Sequence, residues 1–227
     1  MSTSNSFIKI VITGGPGAGK TSALEYIRSH FKKRGYTVLV LSEVATDLIT
    51  SGIAPWTCEN AAEYQLFQTR MQMAKEAVFE AAAKSMAKRQ AAQQYKHVHN
   101  AETHAKPAPA KPLLIVCDRG TLDSKSYVTD EEFAAIIHTL DTTEQTLLNN
   151  YDAIFHLVTA AQGAEKFYTL KNNAARVETI EEARALDARL MSVWAKHPYQ
   201  RIIGNEGTFE EKLTCLLKEI ERFLASF

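Results

Sequence analysis

Residues Gly14 to Thr21 read GGPGAGKT, which is G-x-x-x-x-G-K-[ST]. Each residue in that run suits the binding of a polyphosphate. Glycine admits positive φ, so successive backbone N–H groups can turn inward on β- and γ-phosphates. The residues expected to line the phosphates are Gly14, Gly15, Gly17, Ala18, Gly19, Lys20, Thr21 and Ser22. Lys20 adds a mobile positive charge. The Thr21 hydroxyl offers one oxygen ligand to Mg²⁺. A helix opening at this point aims its positive end at the same anion.

A second group of residues extends the chemistry from binding to transfer. Asp118 ends the apolar run LLIVCD, where an acid beside a phosphate loop holds Mg²⁺, usually through water. Arg119 follows it. Its guanidinium is either a bidentate brace on a phosphate or half of a structural ion pair. Glu43, in SEVATDL, either orients or deprotonates an acceptor hydroxyl or caps the next helix. Between Glu165 and Trp194 stand Arg176, Arg184 and Arg189, cations able to neutralise a γ-phosphate in the transition state. Arg184 and Arg189 also fit a helix with ion pairs to Glu181 and Glu182, so Arg176 is the favoured lid arginine. Asn205 stands where related folds contact the purine base. Asp123 reads as a helix-surface acid. Gln65, Gln68, Gln72 and Glu76 share one helical face, which either reads an acceptor or is solvated.

These residues need elements to hold them. FIKIVIT (Phe7–Thr13) is a buried strand ending in the glycines. From Gly19 to about Arg34 the period is helical, with Leu24, Ile27 and Phe31 on one face and Gly35 as the stop. Further strands are expected at Tyr36–Leu41, Leu113–Cys117 and Ala153–Val158, with a weaker one at Arg201–Ile203. A long helix is expected from about Glu59 to Tyr95. The last helix is striped by Phe209, Leu213, Leu216, Leu217, Ile220, Phe223 and Leu224. Strands separated by helices imply parallel β-α-β units. In such sheets the ligand sits beyond the carboxyl ends of the strands, where the Gly14–Thr21 loop, Glu43 and Asp118 should converge.

The chain has 227 residues, 45% hydrophobic and 23% charged, as an ordinary globular domain does. We expect a single nucleotide-binding domain over residues 1–227. One segment departs from the rest: Lys84–Pro112 is basic and ends in the Pro-rich run KPAPAKP, and it reads as an insertion leading into a mobile linker. Its histidines, His97, His99 and His104, have no fixed frame for a metal. Membrane-surface contact through this patch is less expected than a solvated insertion. Lys+Arg and Asp+Glu are 26 each, which gives no support for nucleic-acid binding driven by overall charge. No apolar run approaches a membrane span. MSTSNSF is not a signal peptide, and Cys58, Cys117 and Cys215 read as reduced thiols, so a cytoplasmic protein is expected.

Asp118 is followed by Arg119-Gly120 and no [NT]-K-x-D run follows the fourth strand, unlike a regulatory GTPase. What remains is the small-molecule kinase plan: an α/β P-loop NTPase, three-layered, with a parallel five-stranded sheet and a helical lid. The blocks GGPGAGKT, SEVATDLITSGI, CDRGTLDSKSY, HLVTAAQGAEKFYTLKNNAAR and WAKHPYQRIIGN resemble the NadR/translocation-defect-14-like P-loop family, from about Ile8 to Leu224 outside the insertion. The resemblance implies ATP or GTP binding with Mg²⁺ on the loop residues, Asp118 and Arg119. One branch of that family phosphorylates ribosylnicotinamide and the other acts in membrane-protein trafficking. Two functions are therefore expected in competition. The first is transfer of the γ-phosphoryl group to a small, nucleoside-like acceptor. The second is a nucleotide-dependent regulatory or trafficking module.

Overall fold

The computed structural model describes residues 6–100, 111–167 and 179–226, with 94–100 and 167 as backbone only. β1 (Phe7–Thr13) is the middle strand of a parallel sheet ordered β2-β3-β1-β4-β5. Its neighbours are β2 (Val38–Leu41), β3 (Leu113–Asp118), β4 (Ala153–Leu157) and β5 (Gln200–Ile203). The chain winds to one side of β1 through β2 and β3, then to the other through β4 and β5. The carboxyl end of β1 is therefore the topological switch point at which open α/β sheets bind ligands. In the register, Ile12 lies beside Asp118 and Thr13 beside His156, so both neighbouring strands end against the start of the glycine loop.

Side-chain alternation along β1 divides the core in two. Ile8, Ile10 and Ile12 face α1 (Lys20–Lys33) and α7 (Phe209–Leu224), joining Ile27, Phe31, Leu213, Leu216 and Phe223. Val11 faces the other way, with Ile115, Cys117, Leu122, Phe133 and Trp194. That second layer contains α3 (Ala61–Asn100), α4 (Asp130–Thr139), α5 (Glu144–Leu148) and the end of α6 (Ile180–Val193). α2 (Val44–Thr50) follows Glu43. The result is a three-layer α/β fold of the P-loop NTPase kind.

Helix α3 is longer than its sequence pattern implies, running through Asn100 instead of ending near Tyr95. It is anchored by Lys9, a lysine buried within β1, whose Nζ lies 3.0 Å from Glu76 Oε2 and 2.5 Å from Glu80 Oε1. Burial alone would lower the Lys9 pKa, but these two carboxylates raise it. β2 begins at Val38, not Tyr36, because the Tyr36 amide still donates to the carbonyl of Phe31 in the turn that ends α1. Residues 101–110, with His104 and most of the Pro-rich run, lie outside the described residues. Among the described residues no helix is long and apolar enough to cross a membrane.

Candidate functional site

The glycine loop joins β1 to α1 as expected. Gly14, Gly17 and Gly19 have φ of 138°, 74° and 88°. Gly14 could carry no side chain: a Cβ there would stand 2.1 Å from the carbonyl oxygen of Leu157. α1 starts at Lys20 with its exposed Thr21 and Ser22 in the first turn, so its unpaired N–H groups open into the loop. Lys20 Nζ donates to the carbonyls of Gly14 (2.9 Å) and Gly15 (3.2 Å). Its pKa falls to about 8, lowered by burial first and by Arg119 second, against the pull of Asp118, Glu43 and Asp123.

Toward β2 and β3 the loop faces a charged group. Arg119 has a left-handed backbone, φ 69°, uncommon for a side chain of this size. Its N–H donates to Ile12 and its carbonyl accepts from Gln72 Nε2, so the strained residue is held at both ends. The guanidinium Nε donates to Glu43 Oε1 at 2.8 Å, and Nη1 stands 3.5 Å from Asp123 Oδ2 without a hydrogen bond. Glu43 occupies the N-cap position of α2 but makes no capping bond; it accepts from Arg119 and from the Thr46 hydroxyl. Burial works to raise its pKa, yet Arg119 and Lys20 bring it down to about 2. Asp118 is buried, its pKa is raised to about 6 by burial and then by Glu43 and Asp123 against Lys20 and Arg119, and its Oδ1 has no partner.

An anionic oxygen without a donor fits a cation. Among the described residues no group of three or more His, Cys, Asp or Glu side chains could hold a metal alone. A cation beside Asp118 would take its other oxygens from Thr21, phosphate and water, the usual pattern for Mg²⁺.

Asp123 is not the surface acid its position suggested. It is fully buried in a 3₁₀ segment, Thr121–Tyr127, where it accepts from Thr13 Oγ1 (2.8 Å) and Trp194 Nε1 (2.6 Å). The polar face of α3 is not solvated either. Gln65, Gln68, Gln72 and Glu76 are all buried. Glu76 accepts from Lys9, Asn150 and Tyr151, and Thr69 donates to Ser124. At the site end of this face Tyr64 Oη and Gln65 Oε1 are buried and unpartnered. Tyr64 lies in the fields of Glu43, Tyr127 and Arg119, and burial, aided by Glu43, pushes its pKa up to about 12.

Toward β4 and β5 the loop is clamped by residues that sequence reading missed. Asp187, on α6, accepts from the amides of Gly15 (2.6 Å) and Thr159 (3.3 Å), and His156 Nε2 lies 3.1 Å away. The Thr159 hydroxyl donates to the carbonyl of Pro16. Lys212, on α7, donates to the carbonyls of Ala18 (3.1 Å) and Val158 (2.6 Å) and to Asn205 Oδ1 (2.8 Å). Burial lowers its pKa to about 8. The Asn205 amide nitrogen in turn faces the carbonyls of Thr159 (2.9 Å) and Gln162 (2.7 Å). The signal was present: Asp187 interrupts the buried stripe Ala183, Leu186, Leu190, and Lys212 interrupts that of Leu213 and Leu216.

The three arginines diverge. Arg176 lies outside the described residues. Arg184 pairs with Glu165 (2.7 Å) and the carbonyl of Ala161 (2.6 Å), not with Glu181 or Glu182; the Glu182 carboxylate instead accepts from the Thr179 N–H and closes the capping box at the start of the helix. Arg189 lines a groove of about 420 Å³ with Lys125, Ser126, Glu144 and Lys196.

A family model described as an AAA domain matches residues 9–212, from within β1 to the first turn of α7. Comparison with curated proteins gives no match.

Proposed function

This chain belongs to the AAA-domain family, and from that premise we propose that it is a P-loop phosphotransferase moving the γ-phosphoryl group of ATP or GTP to a hydroxyl of a small, nucleoside-like acceptor. That it is a P-loop nucleotide-binding protein follows from the family; the transfer is our reading. The observation that supports it is the polar wall beside Glu43 and Arg119. Asp118 Oδ1, Arg119 Nη1, Tyr64 Oη and Gln65 Oε1 are all buried without hydrogen-bond partners. Such groups cost stability unless something occupies them.

In this reading the amides of Gly17, Ala18, Gly19, Lys20, Thr21 and Ser22, with Gly14 and Gly15 shaping the loop, cradle the phosphates. Lys20 leaves the carbonyls of Gly14 and Gly15 for the β- and γ-phosphates. Thr21 and Asp118 would hold Mg²⁺, which when bound neutralises charge across those phosphates. Arg119 braces the transferring group, and Arg176, outside the described residues, is the second cation proposed to neutralise it. Glu43, with a pKa near 2, is too weak a base to take a proton early. It accepts a hydrogen bond from the attacking hydroxyl and aims it. The acceptor oxygen bonds to the γ-phosphorus, the bond to the β–γ bridging oxygen breaks, and the acceptor proton leaves to water. A loose transition state asks for little more.

A second reading has its own observation. The loop between α2 and α3 exposes Trp56 (75%) and Ile53 (40%), an apolar tip on the acceptor side that suits a nucleotide-dependent partner contact. One experiment separates the two. The protein is incubated with γ-labelled ATP or GTP, Mg²⁺ and a small-metabolite extract, with Lys20→Ala as control. Label on a small molecule, absent in the variant, supports the transferase. Tight binding and slow hydrolysis with no labelled metabolite sinks it in favour of the switch.

A further inference from the structure

We infer that Phe209 is the platform on which the base of the nucleotide rests, an inference that builds on the nucleotide site proposed above. If the γ-phosphate points at Asp118, Arg119 and Glu43, on the β3 side of β1, the α-phosphate, sugar and base must leave on the other side. That side belongs to β4, β5 and the start of α7. Asn205, the residue expected there to read the base, has its amide nitrogen turned to backbone carbonyls and its oxygen to Lys212. It braces the loop.

Phe209 is different. It continues the buried stripe of α7 by one helical step beyond Leu213, but its ring overshoots the core and is 40% exposed. Its inner edge lies on the phosphate loop: a Cβ at Gly19 would stand 2.5 Å from its Cε2 and 2.9 Å from its Cζ. Gly19 is therefore glycine for two reasons, its φ of 88° and the ring against it. The ring is held in place. The Thr208–Glu211 capping box fixes the first turn of α7, and Lys212, one turn on, is bonded to the Ala18 carbonyl. A rigid aromatic face, half open, at the mouth of a phosphate cradle matches a flat heterocycle. Stacking of this kind is indifferent to which base is present, because every base has a π-face. The site should thus accept adenine and guanine with similar affinity.

The test measures binding of Mg-ATP, Mg-GTP and Mg-tripolyphosphate, which has no base, by calorimetry and by competition. Phe209→Leu keeps the apolar contact with Gly19 and removes the ring face; Phe209→Trp restores a face. We expect Phe209→Leu to weaken both nucleotides about 5- to 100-fold, to leave tripolyphosphate within about twofold, and Phe209→Trp to regain nucleotide affinity. Equal loss of tripolyphosphate would mean that the ring only shapes the loop, and unchanged nucleotide affinity in Phe209→Leu would mean that the base lies elsewhere. Either overturns the inference. The Leu and Trp pair decides the matter even where tripolyphosphate competes too weakly to measure. A wild-type protein that binds neither nucleotide nor tripolyphosphate removes the nucleotide site itself, and is thereby distinguished from a misplaced base.

Discussion

The two flanks of the phosphate loop are built on opposite rules. On the β4–β5 flank polar groups are matched: Asp187 takes two amides and a histidine, Lys212 takes two carbonyls and an amide oxygen, and Asn205 closes the set. Among the described residues the buried side-chain atom there without a partner is His156 Nδ1, which is a bare acceptor when Nε2 carries the proton toward Asp187. On the β2–β3 flank four buried atoms on Asp118, Arg119, Tyr64 and Gln65 lack hydrogen bonds, and Arg119 has a strained backbone. Matched polar groups fix a shape. Unmatched ones keep a place for something that arrives. In the transferase reading proposed above, the loop is held rigid from one side and left open to chemistry on the other.

That contrast makes the largest effect functional and the next one structural. Lys20→Ala removes the only side-chain cation of the loop motif, and should cut phosphoryl transfer by about 10²–10³-fold or more while barely moving the melting temperature. Transfer assays and calorimetry on the same sample check both halves. Asp187→Ala does the reverse. It leaves the amides of Gly15 and Thr159 and the ring of His156 without their acceptor, each buried. We expect a loss of about 3 kcal/mol, seen as a fall in melting temperature of about 6–12 °C. If Asp187→Ala melts like the wild type, the clamp is not a clamp.

How much of this could be read from the chain alone follows the same division. LLIVCD announced its strand because a strand buried on both faces is a near-continuous apolar run, and FIKIVIT did so through its β-branched residues despite Lys9. Their pairing put Asp118 beside the loop, as the motif order required. The placement of Lys20, Thr21, Asp118, Arg119 and Glu43 around the loop was legible because each sits at a strand end or loop defined locally. The clamp was not, because its bonds span the sequence: Asp187 meets Gly15 172 residues away, and Lys212 meets Ala18 194 residues away. Asp123 misled for a local reason. It lies in a 3₁₀ segment, so helical periodicity placed it on the surface, while its partner Trp194 lies 71 residues on. The polar face of α3 defeated the usual rule too, since Gln72 donates to the Arg119 carbonyl and Glu76 faces a lysine buried in the sheet.

A third effect probes the open flank through pH. Glu43 ionises at about 2 in the fold against 4.5 ordinarily. A depressed carboxylate pKa contributes stability that is complete above the unfolded value and fades as pH falls toward the folded one. Glu43→Gln should therefore cost about 2 kcal/mol at neutral pH, and the gap between variant and wild type should close between about pH 4.5 and 2. Thermal melts across that window measure it. A gap independent of pH would mean that the loss comes from the hydrogen bonds of Glu43 and not from its charge.

The smallest effect is the most discriminating. Tyr64 Oη is buried, unpartnered, and, with a pKa of about 12, a neutral hydroxyl at any working pH. Removing a buried polar atom that has no partner should not cost stability. It should leave the protein unchanged or more stable by up to about 1 kcal/mol. If that hydroxyl is kept for an acceptor, its loss must appear elsewhere. Tyr64→Phe should raise the acceptor KM by roughly tenfold, the equivalent of about 1.4 kcal/mol, with kcat nearly intact and nucleotide affinity unmoved. Gln65→Leu should follow the same pattern. A variant that loses stability and keeps its KM would show a hydroxyl matched within the fold, and the wall beside Glu43 would then be one more braced surface, making the two flanks alike.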